Sequence, residues 1–405
     1  MLTPFRRPTA LALAVGLAAG ACAPQASATP TLTPSQTAAP TAAVTGTPSP
    51  TPTATAACPE RVLASMSQPQ RVGQLFLLGL ANDQLGAAEV DAVRTRHLGS
   101  VWFVEQSSAG VSGIRAVADA VQSLVGADTT ANVRFYVAAN QEGGIIQPLK
   151  GPGFSAIPTA VDQGTLAPDT LQQRATQWGR ELAAAGVNLN FAPVLDVVPP
   201  GTDAQNEPIG VLKRGYGHDP TTVSTHGMAF LRGMAAAGIT TTAKHFPGLG
   251  RVKGNTDFTA AVVDESTTID DAYLAPFRDA IAAGVPFVMV ALATYTRIDA
   301  QHLAAFSSTV MRQLLRDRLG FTGAIVSDDL GATAAVATIP PGQRAIDFLS
   351  AGGDLVISKT VAPAIAMADA IVARAGSDAA FQARVDDAAL RVLRAKQASG
   401  LLRCS

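Results

Sequence analysis

The sequence predicts one (β/α)₈ TIM-like barrel of the α/β class, preceded by a disordered stalk. Three observations predict it. The chain has 405 residues, 47% hydrophobic and 15% charged, which is enough apolar material for one large core. From residue 60 onward, apolar runs alternate with amphipathic helical stretches about eight times. Several of these runs are continuously apolar, which is typical of parallel strands buried on both faces.

Eight segments fit such strands, and helical stretches such as Leu171–Ala185, Val223–Ala237 and Tyr273–Ala283 lie between them. The strand segments are Val72–Leu80, Ser100–Val104, Arg134–Asn140, Val187–Val197, Thr240–Pro247, Pro286–Leu292, Gly323–Asp329 and Asp354–Lys359. A doubly wound open sheet is the alternative. The first strand is not followed by the Gly-x-Gly-x-x-Gly turn typical of that fold, so the barrel is favoured.

Residues 1–22 have the pattern of an export signal. Arg6 and Arg7 precede an apolar run of about a dozen residues, too short to span a bilayer. The run ends Ala19-Gly20-Ala21-Cys22, which resembles a bacterial lipoprotein cleavage box, although Leu is more usual where Ala19 stands. The sequence therefore predicts a lipid on Cys22 that anchors the protein at the outer face of the cell membrane. Ordinary cleavage and free secretion are the alternative.

Residues 23–57 consist mainly of Thr, Pro, Ala and Ser and contain no charged residue. Such a segment cannot bury enough apolar surface to fold, and its prolines favour an extended chain. The sequence therefore predicts a disordered linker that carries a folded domain over residues 58–405.

Cysteine usage and charge limit the possible partners. Of three cysteines, Cys58 opens the folded domain and Cys404 nearly closes the chain. Because domain termini tend to lie close together and disulfides persist outside the cell, a Cys58–Cys404 bond is expected, with two unpaired thiols as the alternative. There is no Cys-x-x-Cys metal spacing. The formal net charge of −1 gives no support for nucleic-acid binding.

Polar and charged residues cluster where four predicted strands end. They are Asn140-Gln141-Glu142, Asp196, Lys244-His245 and Ser327-Asp328-Asp329. In a (β/α)₈ barrel the carboxyl ends of the strands and the loops that follow them form the active site. These side chains are therefore expected to converge on one pocket.

The residue types suit sugar chemistry. A carboxylate such as Asp328 at a barrel mouth can attack an anomeric carbon, whereas Asp329 points the other way along the strand and is expected to cap the following helix. Lys244 and His245 suit sugar hydroxyls or an acetamido oxygen, and Arg214 offers a planar donor fork. For His245 a buried core histidine is the alternative, and for Arg214 a surface-loop arginine.

Pro247-Gly248 leads into a long loop, Leu249 to Ala260, which contains Gly250 and Gly254. Glycine-rich loops at barrel mouths often act as lids. The sequence therefore predicts a mobile lid over the pocket.

At these residues the chain resembles glycoside hydrolase family 3, specifically its single-domain bacterial β-N-acetylhexosaminidases. The resemblance covers residues 60–360. Its segments are Gln141-Glu142-Gly143-Gly144, Asn190 to Val197, Arg214 to Pro220, Lys244 to Gly248, and Ser327 to Leu330. It implies an α/β barrel, retaining hydrolysis of N-acetylglucosaminides such as peptidoglycan fragments, and no metal or organic cofactor.

The resemblance also implies residue roles. Asp328 would be the nucleophile, and Arg214, Lys244 and His245 would bind the sugar. Asn140 and Asp196 join this substrate-binding set. Asn140 stands where the family usually has an Asp that grips sugar hydroxyls.

The chain departs from the family at its acid/base. Members usually continue Lys-His-Phe-Pro-Gly with His-Gly, and an Asp-Ser-His follows a few residues later. Here Leu249 replaces the first His, Asn255-Thr256-Asp257 replaces Asp-Ser-His, and Ile145 stands where Arg is usual. Asp257 is therefore the candidate general acid/base, since retaining glycosidases commonly use two carboxylates.

The alternative function is a catalytically weak or inactive sugar-binding lipoprotein of the cell envelope on the same barrel, because general acid–base help contributes roughly 10²–10⁴ in rate. A solute-binding lipoprotein of a transporter is a third class. Its two-lobed architecture does not fit eight strand–helix units in one run.

Overall fold

A computed structural model of the chain describes residues 57–403. The predicted export signal, nearly all of the predicted linker, Cys22 and Cys404 lie outside the described residues.

Within this range, eight parallel strands close into a barrel in which each strand pairs with the next barrel strand along the chain. The barrel strands are β1 (Phe76–Leu80), β2 (Ser100–Phe103), β3 (Tyr136–Ala139), β4 (Leu189–Asn190), β5 (Thr240–Phe246), β7 (Phe287–Val290), β10 (Ala324–Asp329) and β11 (Leu355–Ser358). The ring closes between β11 and β1, where Phe76 is in register with Val356. The predicted (β/α)₈ barrel is confirmed, and each predicted strand segment contains one observed strand.

All eight strands are shorter than predicted, and the two with the largest differences, β1 and β4, have local reasons. β1 starts at Phe76 rather than Val72, because Ser67 and Gln70 form a capping box that begins a short helix over Gln68–Gly73. β4 pairs only over Leu189–Asn190, because Pro193 lacks the N–H that a continuing ladder needs.

The helices cover the outside of the barrel. They are α1 (Cys58–Ser65), α2 (Gln68–Gly73), α3 (Ala87–Arg96), α4 (Gly110–Gln122), α5 (Ala127–Thr130), α6 (Ala160–Gln163), α7 (Pro168–Ala184), α8 (Pro220–Ala236), α9 (Ala275–Ala282), α10 (Pro341–Ala351), α11 (Val361–Ser377) and α12 (Ala379–Ala398), with a π-helical segment over Thr309–Arg318. Proline in the first turn and aspartate caps start several of them. Asp219, for example, accepts a hydrogen bond from the Thr222 amide at the start of α8.

A small second sheet stands beside the mouth of the barrel. It consists of β6 (Val263–Asp264), β8 (Thr294–Tyr295) and β9 (Asp299–Leu303). The buried Tyr295 hydroxyl donates to the Gly248 carbonyl at 2.9 Å. This sheet therefore supports the start of the loop after β5.

The amino-terminal end of the barrel contains a buried lysine. Lys396 on α12 is fully buried, and its Nζ donates to Gln74 Oε1 and to the Gly99 carbonyl, both at 2.8 Å. The described residues provide it with no carboxylate partner. Burial lowers the pKa of Lys396 to about 7.

Both ends of the described chain pack together. A small apolar cluster of Met66, Val133, Leu393 and Leu402 has Cys58 at its edge. Cys58 is disulfide-bonded. Because Cys404 lies outside the described residues, its pairing with Cys58 stays a prediction. Among residues 57–403, no helix is both long and apolar enough to cross a membrane.

Candidate active site

A cavity of about 350 Å³ opens at the carboxyl ends of the barrel strands. Its walls contain six of the predicted site residues: Asn140, Arg214, Lys244, His245, Asp257 and Asp328. Apolar side chains, among them Trp102, Phe191 and Met289, also line it. Trp102 and Phe191 pack edge to face with ring centroids 5.9 Å apart. The site is therefore a polar pocket with an apolar component.

A buried ion cluster forms one wall. Glu142 accepts from Arg214 Nε and Nη2, both at 2.8 Å, and from Lys244 Nζ at 2.5 Å. Burial by itself would raise the pKa of Glu142, but the charges of Arg214 and Lys244 outweigh it and hold that pKa at about 2. Glu142 is therefore an anion that orients both cations.

Sequence reasoning missed the role of Glu142. The strand-end motif predicts Glu142 near the pocket but gives it no role there. The available signal was its position two residues after Asn140, in a chain with few charges. Its partners could not be read from the sequence because Arg214 and Lys244 lie on loops and strands far from it along the chain.

Lys244 and His245 both face the cavity although they are neighbours on β5. The register of β5 against β7 shifts between Ala243 and Phe246, and the Lys244–His245 peptide bond is cis. Lys244 Nζ donates to Asn140 Oδ1 at 2.7 Å. Burial lowers the pKa of Lys244, and the charge of Glu142 opposes this shift only in part.

Asp196 fixes the orientation of the His245 ring. It is fully buried, and its Oδ2 lies 2.7 Å from His245 Nδ1, while Oδ1 accepts from the Leu249 amide at 2.7 Å. A carboxylate at Nδ1 favours a proton on that nitrogen and leaves Nε2, 3.4 Å from Arg214 Nη2, as an acceptor. Asp196 was expected to bind substrate, but it lies outside the cavity wall. The structure gives it a positioning role.

The two adjacent aspartates at the end of β10 have different surroundings. Asp328 is half-buried and lines the cavity. Asp329 is buried, and its carboxylate accepts from the amides of Gly331, Ala332 and Lys359 at 2.8–3.0 Å. Asp329 is thus occupied by the backbone, which leaves Asp328 as the carboxylate available to a ligand.

Hydrogen bonds anchor the loop after β5, which was expected to be a mobile lid. The buried Asn206 donates through Nδ2 to the carbonyls of Leu249 and Val252, both at 2.7 Å. A Cβ at Gly250 would lie 1.9 Å from the Val197 carbonyl oxygen, so this glycine permits close packing. The loop therefore sits against the chain that follows β4.

The tip of this loop carries Asp257 to the cavity. The amides of Ala334 and Ala335 donate to the carbonyls of Asp257 and Thr256, both at 3.2 Å. Desolvation by the surrounding protein, and then the negative charge of Asp328, raise the pKa of Asp257. Asp257 thus stands near Asp328 with a raised proton affinity.

Within residues 57–403, no group of three or more His, Cys, Asp or Glu side chains could hold a metal ion. The cavity combines a carboxylate available to a ligand, a second carboxylate whose pKa is raised by burial and by Asp328, and buried donors. This arrangement on a parallel barrel defines the glycosidase class of hydrolases.

Comparison with known proteins identifies the family. Residues 68–395 match the domain described as glycosyl hydrolase family 3 N terminal domain. The chain belongs to glycosyl hydrolase family 3 and is a glycosidase, as its sequence motifs predicted.

Its relatives include proteins named β-hexosaminidase. The one from Xylella fastidiosa strain M12 is 33% identical over 268 residues, covering 64% of this chain and 76% of the relative. The one from Stenotrophomonas maltophilia strain R551-3 is 31% identical over 294 residues, covering 70% and 82%. A crystal structure titled as the β-N-acetylhexosaminidase from Beutenbergia cavernae DSM 12333 is 49% identical, with a TM-score of 0.80, and the match covers 82% of this chain and 99% of that chain.

Proposed function

We propose that the protein is an exported, retaining β-N-acetylhexosaminidase that removes N-acetylglucosamine from glycans. One observation carries the mechanism: Asp328 and Asp257 line the same cavity, and Asp328 helps to raise the pKa of Asp257. The activity itself is supported by the 49% identity to a structure titled β-N-acetylhexosaminidase.

The first step forms a covalent intermediate. A carboxylate oxygen of Asp328 attacks the anomeric carbon, and the bond from that carbon to the leaving oxygen breaks. Asp257 donates its proton to the leaving oxygen, so the aglycone departs as an alcohol. The raised pKa of Asp257 suits this role, because a larger fraction of the carboxyl group is protonated near neutral pH.

In the second step, the Asp257 carboxylate accepts a proton from water. The resulting hydroxide attacks the anomeric carbon and releases Asp328. Two inversions give net retention of the β configuration.

The ion cluster provides donors to the sugar. Lys244 has three N–H groups, and within the described residues Asn140 and Glu142 take two of them. The third is free for a sugar hydroxyl or the acetamido oxygen. Arg214 donates to Glu142 and to the Pro208 carbonyl, so it contributes mainly by fixing the wall.

Peptidoglycan fragments are the proposed natural substrate. Two patterns support it: the amino-terminal residues favour export, and the site residues resemble those of enzymes that act on such fragments. Soluble muropeptides and chitooligosaccharides offered at equal concentration distinguish the sources of N-acetylglucosamine. A higher kcat/KM for muropeptides is expected, and a preference for chitooligosaccharides would contradict this part of the proposal.

The mechanism is tested with purified full-length protein and the variants Asp328→Asn and Asp257→Ala. Each is assayed on an N-acetylglucosaminide and on a glucoside, with a good and a poor leaving group. Asp328→Asn should abolish turnover of every substrate. Asp257→Ala should lower turnover of the poor leaving group by roughly 10²–10⁴ and affect the good one much less. No turnover of either sugar by the unaltered protein would instead favour a sugar-binding envelope lipoprotein.

Anchoring through Cys22 is a separate proposal, based on the residues that end the apolar run. Expression in a bacterial host with a radiolabelled fatty acid tests it. Label should enter the unaltered protein and not Cys22→Ser, with Cys58→Ser as a labelled control. Unlabelled protein in the medium would support secretion instead.

A further inference from the structure

Phe258 is an aromatic ring without a place in the core. It is 82% exposed, the highest fraction among the exposed large hydrophobic residues of the described chain, and it lines the active-site cavity. The other aromatic residues of the cavity wall, Trp102 and Phe191, are 8% and 1% exposed. Those two belong to the packed interior, whereas Phe258 presents its ring to whatever enters the cavity.

Hydrogen bonds fix the backbone around this ring. The amides of Phe258 and Thr259 donate to the Asn255 carbonyl at 3.0 and 2.8 Å, and the Asp257 amide donates to Asn255 Oδ1 at 3.0 Å. The Asn255 amide in turn donates to Glu207 Oε2 at 3.0 Å. Together with the bonds from Ala334 and Ala335, these contacts fix the loop tip before a ligand binds. An exposed ring on an already ordered backbone is a ready stacking surface, because the loop does not have to become ordered when a ligand binds.

Its place along the chain relates it to the reaction. Asp257 must reach the oxygen that joins the bound sugar to the leaving group, and the Cα of Phe258 lies about 3.8 Å from that of Asp257. The sugar to be cleaved must lie against Asp328 and the ion-cluster wall of Glu142 and Lys244 for attack at its anomeric carbon. Phe258, exposed on the cavity wall and next to Asp257 in the chain, is therefore placed beside the residue that must face the leaving group.

We propose that Phe258 is the platform of a leaving-group subsite and stacks on the apolar C–H face of a second pyranose. This inference rests on the proposed function and specifies its substrate class as β-linked oligosaccharides. A pyranose of this kind has equatorial substituents and presents a face of axial C–H groups that suits an aromatic ring. Asn255 and Thr333, which also line the cavity, provide polar groups for hydroxyls at the edge of the same sugar.

The test separates the two sugar positions. Full-length protein and the variants Phe258→Ala and Phe258→Trp are assayed for kcat/KM on the β-1,4-linked disaccharide of N-acetylglucosamine. Each protein is also assayed for competitive inhibition by N-acetylglucosamine, which has no leaving group. Phe258→Ala should lower kcat/KM on the disaccharide about tenfold and leave the inhibition constant within about twofold. Phe258→Trp should retain the unaltered kcat/KM.

A matched control uses an exposed apolar residue away from the cavity wall. Ile269 is 41% exposed and does not line the cavity, so Ile269→Ala should change neither measurement. Because Phe258 is exposed, its replacement removes little packing, and a urea midpoint equal to that of the unaltered protein verifies folding.

The outcomes distinguish the inference from the function beneath it. If the unaltered protein cleaves the disaccharide and Phe258→Ala cleaves it equally well, the subsite is overturned and the proposed function stands. Equal losses in disaccharide cleavage and monosaccharide binding would also overturn the subsite, because they indicate a distorted sugar site. An unaltered protein that cleaves no N-acetylglucosaminide would overturn both.

Discussion

Glu142 is the residue on which the order of the ion-cluster wall depends. It lies between Arg214 and Lys244, and both of its oxygens receive charged donors. Without it, two cations would face each other in a buried space. One carboxylate therefore allows the pocket to hold a lysine N–H in the position proposed for substrate binding.

Glu142→Gln tests this dependence. Removing one partner of a buried ion pair costs about 3–5 kcal/mol, because the remaining charge stays buried without compensation. We expect a loss of that order in the free energy of unfolding, measured with urea, together with a lower kcat/KM. Glu265 is exposed and serves as the control, since Glu265→Gln should change neither quantity. A stable, fully active Glu142→Gln would contradict the assigned role.

The raised pKa of Asp257 predicts how activity depends on pH. Desolvation and the charge of Asp328 raise its pKa, and its proposed acid role needs the protonated form, which is populated below that pKa. For a poor leaving group, kcat/KM should therefore fall as the pH rises through the pKa of Asp257. A dinitrophenyl leaving group needs no proton, so its profile should lack this fall. Identical alkaline limbs for the two substrates would assign the titration to another group, such as Lys244.

At the scale of elements, the loop after β5 is placed by the loop after β4. Asn206 lies in the loop after β4 and donates to two carbonyls of the loop after β5. Its Oδ1 accepts from the amides of Ile209 and Gly210 in its own loop, at 3.1 and 2.8 Å. The loop after β4 continues to Arg214, and the loop after β5 continues to Asp257. One buried amide thus fixes the relative positions of the ion cluster and the proposed acid.

Asn206 does not line the cavity, but Asn206→Ala should still lower catalysis because Asn206 positions the two loops. Unsatisfied buried carbonyls cost about 1–3 kcal/mol, so unfolding by urea should show a loss in this range. Because the proposed role of Asp257 is in the chemical step, kcat on a poor leaving group should fall more than KM rises. Gln205 is exposed beside Asn206 and provides the control, Gln205→Ala. Loss of stability with unchanged kcat would show that Asn206 supports the fold alone.

The sequence predicted elements better than it predicted side-chain partners. The eight strands followed from apolar runs, because a strand buried on both faces has a local signature. Asp257 was predicted as the acid/base from the resemblance to the family, because it stands where members have the His of Asp-Ser-His, and the structure places it on the cavity wall. The roles of Asn206 and Asp196 depend on how two loops lie against each other, and no local pattern encodes that path.

The buried Lys396 makes the free energy of unfolding of the barrel depend on pH. Its pKa falls from an ordinary 10.5 to about 7 because the folded barrel buries it. Between these values the unfolded chain binds a proton that the folded chain does not. The free energy of unfolding therefore rises with pH over this range. The stabilisation that results from burying Lys396 uncharged is complete above about pH 10.5 and is lost as the pH falls towards 7.

Lys396→Met should remove this dependence. The free energy of unfolding of the variant minus that of the unaltered protein should be larger at pH 7 than at pH 9.5. The lost hydrogen bonds add a cost that is the same at both pH values and does not affect this comparison. Urea unfolding at the two pH values measures the difference. Lys253 is exposed, so Lys253→Met should track the unaltered protein at both. If the difference in the free energy of unfolding between Lys396→Met and the unaltered protein is the same at both pH values, Lys396 stays charged in the folded protein.

The closure of the barrel between β1 and β11 also determines when the chain can fold. The paired residues Phe76 and Val356 are about 280 positions apart, so the ring closes only after nearly all of the chain has been synthesised. Until then, β1 and the latest strand present open edges to other chains. A product that stops before β11 keeps both edges, and we expect such fragments to aggregate rather than accumulate as partial barrels. Biosynthesis of this protein therefore has its most vulnerable interval just before its last strand is added.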